Sequence, residues 1–437
     1  MTSSRARQGD LLARGQAGGH PGHVAATLGL ALARLAAGAP QAAGLVRLLA
    51  FLAPEPAPLG LLLTGPGPEP RAGLGADVLA AIGPLLGDPL AVADAIAALR
   101  RYSLVTPAGD GLVLVHRLVQ AVTRTGLPAG QAGWWRQAAA TLTEAAIPAD
   151  PDDLTAWPQF ALLLPHARAV LDLTSAGMFR VAAYLGNSGS HGAARDLFAL
   201  VADARDGDDR YGPQHPATLT ARYMLAEWAG LAGDPAGARD QLAALLPTHE
   251  RILGPEHPDT LTTGLSLADW AGAAGDPAGA RDQLTALLPG WERILGPEHP
   301  NPLATRTVLA RYTGEAGDPA AARDQVAVLL SAYERVLGPE HPHTLASRHH
   351  LARWTGEAGD PAAARDQLTA LLPARERILG PEHPDTLANR HELARWTGEA
   401  GDPTAARDQL AALLPDQERI LGPEHPRTLD TRHDLAR

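Results

Sequence analysis

The feature that most constrains this chain is a period of 42 residues. The dipeptide Gly-Pro recurs at Gly212, Gly254, Gly296, Gly338, Gly380 and Gly422, each 42 residues after the last, inside a GPEHP motif that varies only to GPQHP at its first occurrence. Asp-Pro keeps the same frame at Asp234, Asp276, Asp318, Asp360 and Asp402, and an Arg-Asp-Gln follows each, from Arg239, Arg281, Arg323, Arg365 and Arg407. A large aromatic also keeps step, at Trp228, Trp270, Tyr312, Trp354 and Trp396. Chance does not hold one period through five units. A chain of this kind is a repeat array, in which no unit buries its apolar face alone and each must stack on its neighbours.

Each unit reads as two antiparallel helices. In the unit from Asp385 to Leu421, Leu387, Leu393, Ala394, Trp396 and Ala400 give helix A an apolar side. Gly401 ends it, as the residue that accepts a left-handed backbone at little cost. Asp402 caps helix B, and Pro403 occupies its first turn, where a missing N–H does no harm. Ala406, Leu410, Leu413 and Leu414 form the buried stripe of helix B at spacings of three and four. Pro415 lies inside that run and predicts a kink or restart before QERIL. A degenerate unit comes earlier, where Ala193-Ala194-Arg195-Asp196 echoes helix B with two extra residues before Gly212, and a half unit spans Arg427 to Arg437.

Leu393-Ala394, Gly401, Ala406 and Leu410 fall at the spacing of tetratricopeptide (TPR) repeats, and LGPEHPDTL resembles the connector of their longer, kinesin-light-chain-like form. Trp396 stands one place before the position where such repeats commonly carry Tyr, here Thr397. Five regular units cover about Ala217 to Leu421. The resemblance implies an all-α, right-handed solenoid whose concave groove is lined by helix A and takes a protein or peptide partner. Carried onto this chain, the groove positions are His391, Arg395 and Glu399, spaced i, i+4, i+8 on one helix face. The units before give His349, Arg353 and Glu357, then Thr307, Arg311 and Glu315; earlier ones give Leu265, Asp269, Ala273, Tyr223, Glu227 and Leu231. The candidate partner-binding residues are therefore Arg311, Glu315, His349, Arg353, Glu357, His391, Arg395 and Glu399. A competing reading makes Arg395 and Glu399 a simple i, i+4 pair on a solvated helix, worth about 0.3–0.5 kcal/mol.

The first half differs. Residues 1–24 are rich in Gly, Arg and Ser and predict disorder. Residues 25–127 read as a winged-helix-like domain, with helices around a hairpin of Ser103–Val105 and Leu112–Val115. Residues 128–175 form a helical linker, and residues 176–437 the solenoid. RLLAFLAPEPAPL, DPLAVADAIAALRRYSLV and VHRLVQAVTR resemble the segment between the ATPase module and the repeat array of bacterial STAND-type (NB-ARC-like) signalling ATPases. In those proteins the ATPase is the switch and the repeats are the sensor or partner-binding arm. This chain departs from that plan: all 37 of its basic Lys and Arg residues are Arg, so the lysine of a G-x-x-x-x-G-K-[ST] phosphate loop is absent. The expectation is a non-enzymatic regulatory or sensor arm.

Composition narrows the alternatives. With no cysteine there is no disulfide, thiolate metal site or Cys nucleophile. The six connector histidines, His215, His257, His299, His341, His383 and His425, repeat one helix pair apart, too far for neighbours to share an ion, and read as turn residues. His391-Glu392-Leu393-Ala394-Arg395 lacks the second histidine of a zincin helix. Asp152-Asp153 and Asp208-Asp209 read as solvated loop charge. No catalytic residue, cofactor or metal is expected. The apolar stretch 43–63 is broken by Arg47, Glu55 and three prolines, and no secretion signal stands at the N-terminus, so the expectation is cytoplasmic with no membrane contact.

The competing function is a DNA-associated transcriptional regulator that uses the winged helix. Residues 1–175 carry 12 Arg and 12 acids, so the whole net charge of -11 belongs to the remaining 25 Arg and 36 acids. A neutral domain lacks the basic face DNA binding needs, and Arg100, Arg101, Arg117 and Arg124 offer only a small patch. A solenoid also needs a polar cap at its end. Leu429 and Leu435, in the half unit, have no helix B over them, so that end is expected to fray or self-associate.

Overall fold

Proline and histidine decide where the helices of this protein begin. The computed structural model describes residues 21–65, 73–109, 111–128 and 130–436. Two compact units emerge, Met1–Trp228 and Ala229–Arg437. The expected disordered segment, residues 1–24, lies outside the described residues as far as residue 20, and the first helix begins at Pro21.

The first unit holds α1 (Pro21–Gly38), α2 (Pro40–Leu49), β1 (Ala57–Pro58), α3 (Ala76–Ile82), α4 (Pro89–Arg101), β2 (Thr106–Pro107), β3 (Leu112–Leu114), α5 (Arg117–Thr125), α6 (Gln131–Ala146), α7 (Trp157–Val170), α8 (Ala176–Asn187) and α9 (His191–Asp206). α10 (Pro216–Leu231) begins in this unit. The hairpin forms, but its first strand is Thr106–Pro107, just after the expected Ser103–Val105. Ser103 takes a left-handed φ of 56° to turn the chain off α4, and Leu104 and Val105 are then buried under the core. A third strand joins on the other edge of β3, giving the order β1-β3-β2, with Ala57 opposite Val113 and Thr106 opposite Leu114. That strand lies in a proline-rich stretch that carries no alternating pattern. Gln120 fastens α5 to the end of α2: its buried side-chain amide donates to the carbonyls of Leu49 at 3.0 Å and Leu52 at 3.2 Å. No single helix among the described residues is long and apolar enough to cross a membrane.

The second unit is an α-solenoid of helix pairs, as the period predicts. It contains α11 (Pro235–Leu253), α12 (Pro258–Ala273), α13 (Pro277–Leu295), α14 (Pro300–Glu315), α15 (Pro319–Leu337), α16 (Pro342–Glu357), α17 (Pro361–Ile378), α18 (Pro384–Glu399), α19 (Pro403–Ile420) and α20 (Pro426–Leu435). From α10 onward, even numbers are helix A and odd numbers helix B. The connector histidines are more than turn residues. Each is the N-cap of its helix A, its Nδ1 accepting the backbone N–H two residues on, at 3.1–3.3 Å from His215 through His425. This satisfies one of the amide donors a helix start leaves unpaired. Asp234, Asp276, Asp318, Asp360 and Asp402 cap helix B as expected, at 2.8–3.0 Å. Gly401 ends α18 with a φ of 102°.

Pro415 does not restart its helix: α19 runs unbroken to Ile420. The ring costs only the hydrogen bond to the carbonyl of Ala411, and both residues are exposed, so water can take that carbonyl.

The joints between units are built on glycine. In the motif aromatic-x-Gly-x, the ring of one unit enters a gap over the glycine of the unit before: Trp270 over Gly230, Tyr312 over Gly272, Trp354 over Gly314 and Trp396 over Gly356. A Cβ at any of these glycines would overlap the ring. Tyr312, Trp354 and Trp396 each complete a small apolar cluster, such as Trp396 with Ala352, Ala364 and Leu368. Trp396 sits one place before the usual Tyr position because it points into the joint, leaving Thr397 to bond back to the Leu393 carbonyl at 2.7 Å.

Candidate partner-binding face

The groove positions lie on α14, α16 and α18, and α16 packs beside α18. On these three helices arginine stands immediately before the aromatic. Because the ring is buried in the joint, the guanidinium lies back over its face: Arg311 is 4.3 Å from the centre of Tyr312, Arg353 4.7 Å from Trp354 and Arg395 4.4 Å from Trp396. This carries the guanidinium sideways toward the preceding unit. Arg395 therefore pairs with Glu357 across the joint at 2.9 Å rather than with Glu399 on its own helix, and the alternative i, i+4 pair does not form. Arg311 likewise reaches Asp269 of the unit before.

Arg353 differs from both. Among the described residues it has no carboxylate within ion-pair distance, although it holds the same stacked geometry. Glu315 and Glu399 are exposed at the ends of their helices. The stripe is thus part brace and part open charge.

The two histidines are placed differently. His349 packs against Arg375, His350 and Asn389, and its Nδ1 is buried without a hydrogen-bond partner. Burial, then the Arg375 guanidinium and His350, push its pKa down to about 3. His350 beside it is held down to about 4, by burial and then by Arg353 and Arg375. His391 lies 3.2 Å from the Asp434 carboxylate of the next unit. Arg375 itself is buried and donates to the Leu345 carbonyl at 3.2 Å and to the Asp385 carbonyl.

Sequence reading missed two ladders of ion pairs that take up eight further arginines. In one, Arg306, Arg348, Arg390 and Arg432 on helix A reach Glu292, Glu334, Glu376 and Glu418, each 14 residues earlier. In the other, Arg293, Arg335, Arg377 and Arg419 on helix B reach Glu256, Glu298, Glu340 and Glu382, each 37 residues earlier. The fixed separations were present in the sequence as the signal. Being exposed, such pairs fix register more than they stabilise.

In the first unit, the exposed side of α4 carries Leu90, Ala93, Asp94 and Ala97 ahead of Arg100 and Arg101. Arg124, a member of the expected basic patch, donates instead to the Ala50 carbonyl at 2.5 Å.

Comparison with known proteins agrees with the repeat frame. The tetratricopeptide repeat family matches at residues 218–259, 260–301, 303–343, 344–385 and 386–427. Among solved structures, a kinesin light chain of Podosopora anserina with nearly identical TPR-like repeats is 29% identical, over 47% of this chain and 97% of its own, with a TM-score of 0.41. A signal transduction ATPase with numerous domains from Pyrococcus horikoshii, which has a tetratricopeptide repeat sensor, is 12% identical, over 100% of this chain and 68% of its own, with a TM-score of 0.42. A Rap protein complexed with competence and sporulation factor is 10% identical, over 79% and 93%, with a TM-score of 0.42. No curated protein matches the chain. Residues 218–427 belong to the tetratricopeptide repeat family.

Proposed function

We propose that the chain is a non-enzymatic protein-interaction scaffold, a regulatory or sensor arm of a STAND-type signalling system, working in the cytoplasm. Tetratricopeptide repeats are interaction scaffolds, and no catalytic family is indicated. The partner binds the helix A face of α14, α16 and α18 through an acidic or carboxylate-bearing segment of protein or peptide. One observation carries this reading: Arg353 is presented on the face of Trp354 with no carboxylate of its own, between two arginines that have theirs. A guanidinium held flat by a ring has lost little freedom still to lose, and it can take a carboxylate through two parallel hydrogen bonds.

Residues 25–127 form a winged-helix-like module in the same reading, followed by a helical linker to residue 175 and the solenoid from residue 176. Its order of helix, strand, helix, helix, strand, strand from α2 to β3 supports the assignment. The face of α4 that would enter a DNA groove presents Leu90, Ala93, Asp94 and Ala97, which favours a protein contact over DNA.

The experiment is a titration of the whole chain with a panel of labelled dodecapeptides that differ in acidic content and in a free or amidated C-terminus. Saturable binding by acidic members, lost in Arg353→Glu and weakened by salt, is expected. Binding that ignores acidic content, or survives Arg353→Glu, would refute the carboxylate reading.

A further inference from the structure

One place in helix B is buried in every unit and never holds the same residue twice. In the frame of the repeat it carries His249, Trp291, Tyr333, Arg375 and Gln417, all buried. His249 bonds Thr263 at 2.8 Å, and Tyr333 bonds Thr307 at 3.1 Å. Arg375 alone puts a permanent charge there, and it is 3% exposed. Its guanidinium donates to the carbonyls of Leu345, at 3.2 Å, and Asp385, and its Nε has no partner. The Asp385 carboxylate attracts it only from beyond ion-pair distance, lying instead 4.0 Å from the His383 Nδ1.

The same unit holds the open arginine of the helix A face. Residues 338–379 contain five arginines. Arg348 pairs with Glu334, Arg365 with Asp366 and Arg377 with Glu340. The two without a carboxylate among the described residues are Arg353 and Arg375, on the packed helices α16 and α17. Both guanidiniums act on His349 and on His350, which stay uncharged. Two positive charges without counter-charge are therefore gathered in this one unit. A buried charge without a counter-ion is costly, and a neutral residue fills the same place in the other units.

We propose that Arg375 is a positioning residue for partner capture, a fixed positive charge behind the helix A face that draws an acidic segment onto Arg353 rather than onto Arg311 or Arg395. This rests on the reading that Arg353 takes the partner's carboxylate. Arg311 and Arg395 are already met by Asp269 and Glu357, and the buried places of their own units hold the neutral Tyr333 and Gln417. Arg375 does not touch the ligand; it acts through the potential at Arg353. Across one helix spacing of about 10 Å, at an effective dielectric of about 20, one charge is worth roughly tenfold in affinity.

The test titrates the whole chain with the same acidic dodecapeptides, beside a thermal melt of each variant. Arg375→Gln should bind them about tenfold more weakly. It should also fold, since Gln417 is buried in the equivalent place one unit on. The loss should grow with the number of acidic residues in the peptide, whereas a packing defect weakens every member alike. Arg375→Tyr, the residue of the unit before, is a second neutral variant of different size and carries the measurement if Arg375→Gln melts below the assay temperature. It should show the same loss. Native affinity in the neutral variants, or a loss that ignores peptide charge, would overturn the proposal; if Arg353→Glu still abolishes binding, the Arg353 reading survives. Native affinity in Arg353→Glu would refute that reading and this proposal with it.

Discussion

If the aromatic–glycine joint holds the solenoid together, adding one methyl group should change sign with its surroundings. Gly314→Ala is the perturbation. In the native chain its Cβ would overlap the ring of Trp354, so the ring must shift, and overpacking of this kind costs about 1–3 kcal/mol. Against this stands the gain of alanine over glycine inside a helix, about 0.5–1 kcal/mol. Trp354→Ala alone should cost about 3–5 kcal/mol, because the ring is 4% exposed and packed on Ala310, Ala322 and Val326. With the ring gone, the overlap is gone. Gly314→Ala should then stabilise the Trp354→Ala chain by about 0.5–1 kcal/mol. Urea unfolding of the four proteins of this cycle, followed by circular dichroism, measures the coupling. If the two substitutions add to within about 0.5 kcal/mol, the ring and the glycine are independent and the joint has been misread.

Two further outcomes follow from the charged groups and the caps. His349 and His350 are held neutral in the folded protein, with pKa values of about 3 and 4, while the unfolded chain protonates them near 6.5. Their contribution is therefore complete above pH 6.5 and is lost as pH falls toward 4, at about 1.4 kcal/mol per pH unit for each histidine. Urea midpoints at pH 7 and pH 5 should show this, and His349→Gln should flatten the slope; an unchanged slope would contradict the burial described. His341→Ala removes the ring that caps α16 and should cost about 1 kcal/mol in the same assay, whereas His341→Asn, which can cap in its place, should cost less.

The repeat class was legible because sequence periodicity reports packing directly. Asp-Pro, the glycine ends and the stripe of Ala406, Leu410 and Leu413 fix each helix and its buried side from local chemistry alone. What escaped was of two kinds. Strand β1 rests on two residues in a proline-rich stretch, paired with residues more than fifty positions on, and no local pattern announces it. At the candidate face, the helical spacing puts Arg311, Arg353 and Arg395 at equivalent positions, but a helical wheel cannot say which way a long side chain leans. Burial of the adjacent ring lays all three guanidiniums over its face, and two of the three then meet a carboxylate of the preceding unit. His349 shows the same limit: its stripe position is shared with His391, but its neighbours Arg375 and Asn389 come from other helices and bury it. The histidine caps were half legible, since their frame marked a turn but not that the ring itself is the acceptor.

In the proposed function, the open guanidinium of Arg353 on the helix A face recognises a partner, while Arg311 and Arg395 pair with carboxylates of the preceding unit. Pull-down from lysate of the source cells with Arg353→Glu, beside Arg323→Glu, tests it most directly, because Arg323 is exposed on α15 and pairs with Asp324 next to it. A thermal melt accompanies each variant, and Arg353→Glu gives up only a ring contact worth about 0.5–1 kcal/mol. Arg353→Glu should lose the partners that Arg323→Glu keeps, with the two melting close together. Retention of every partner by Arg353→Glu would contradict it, and would leave the stripe as a solvated helix face.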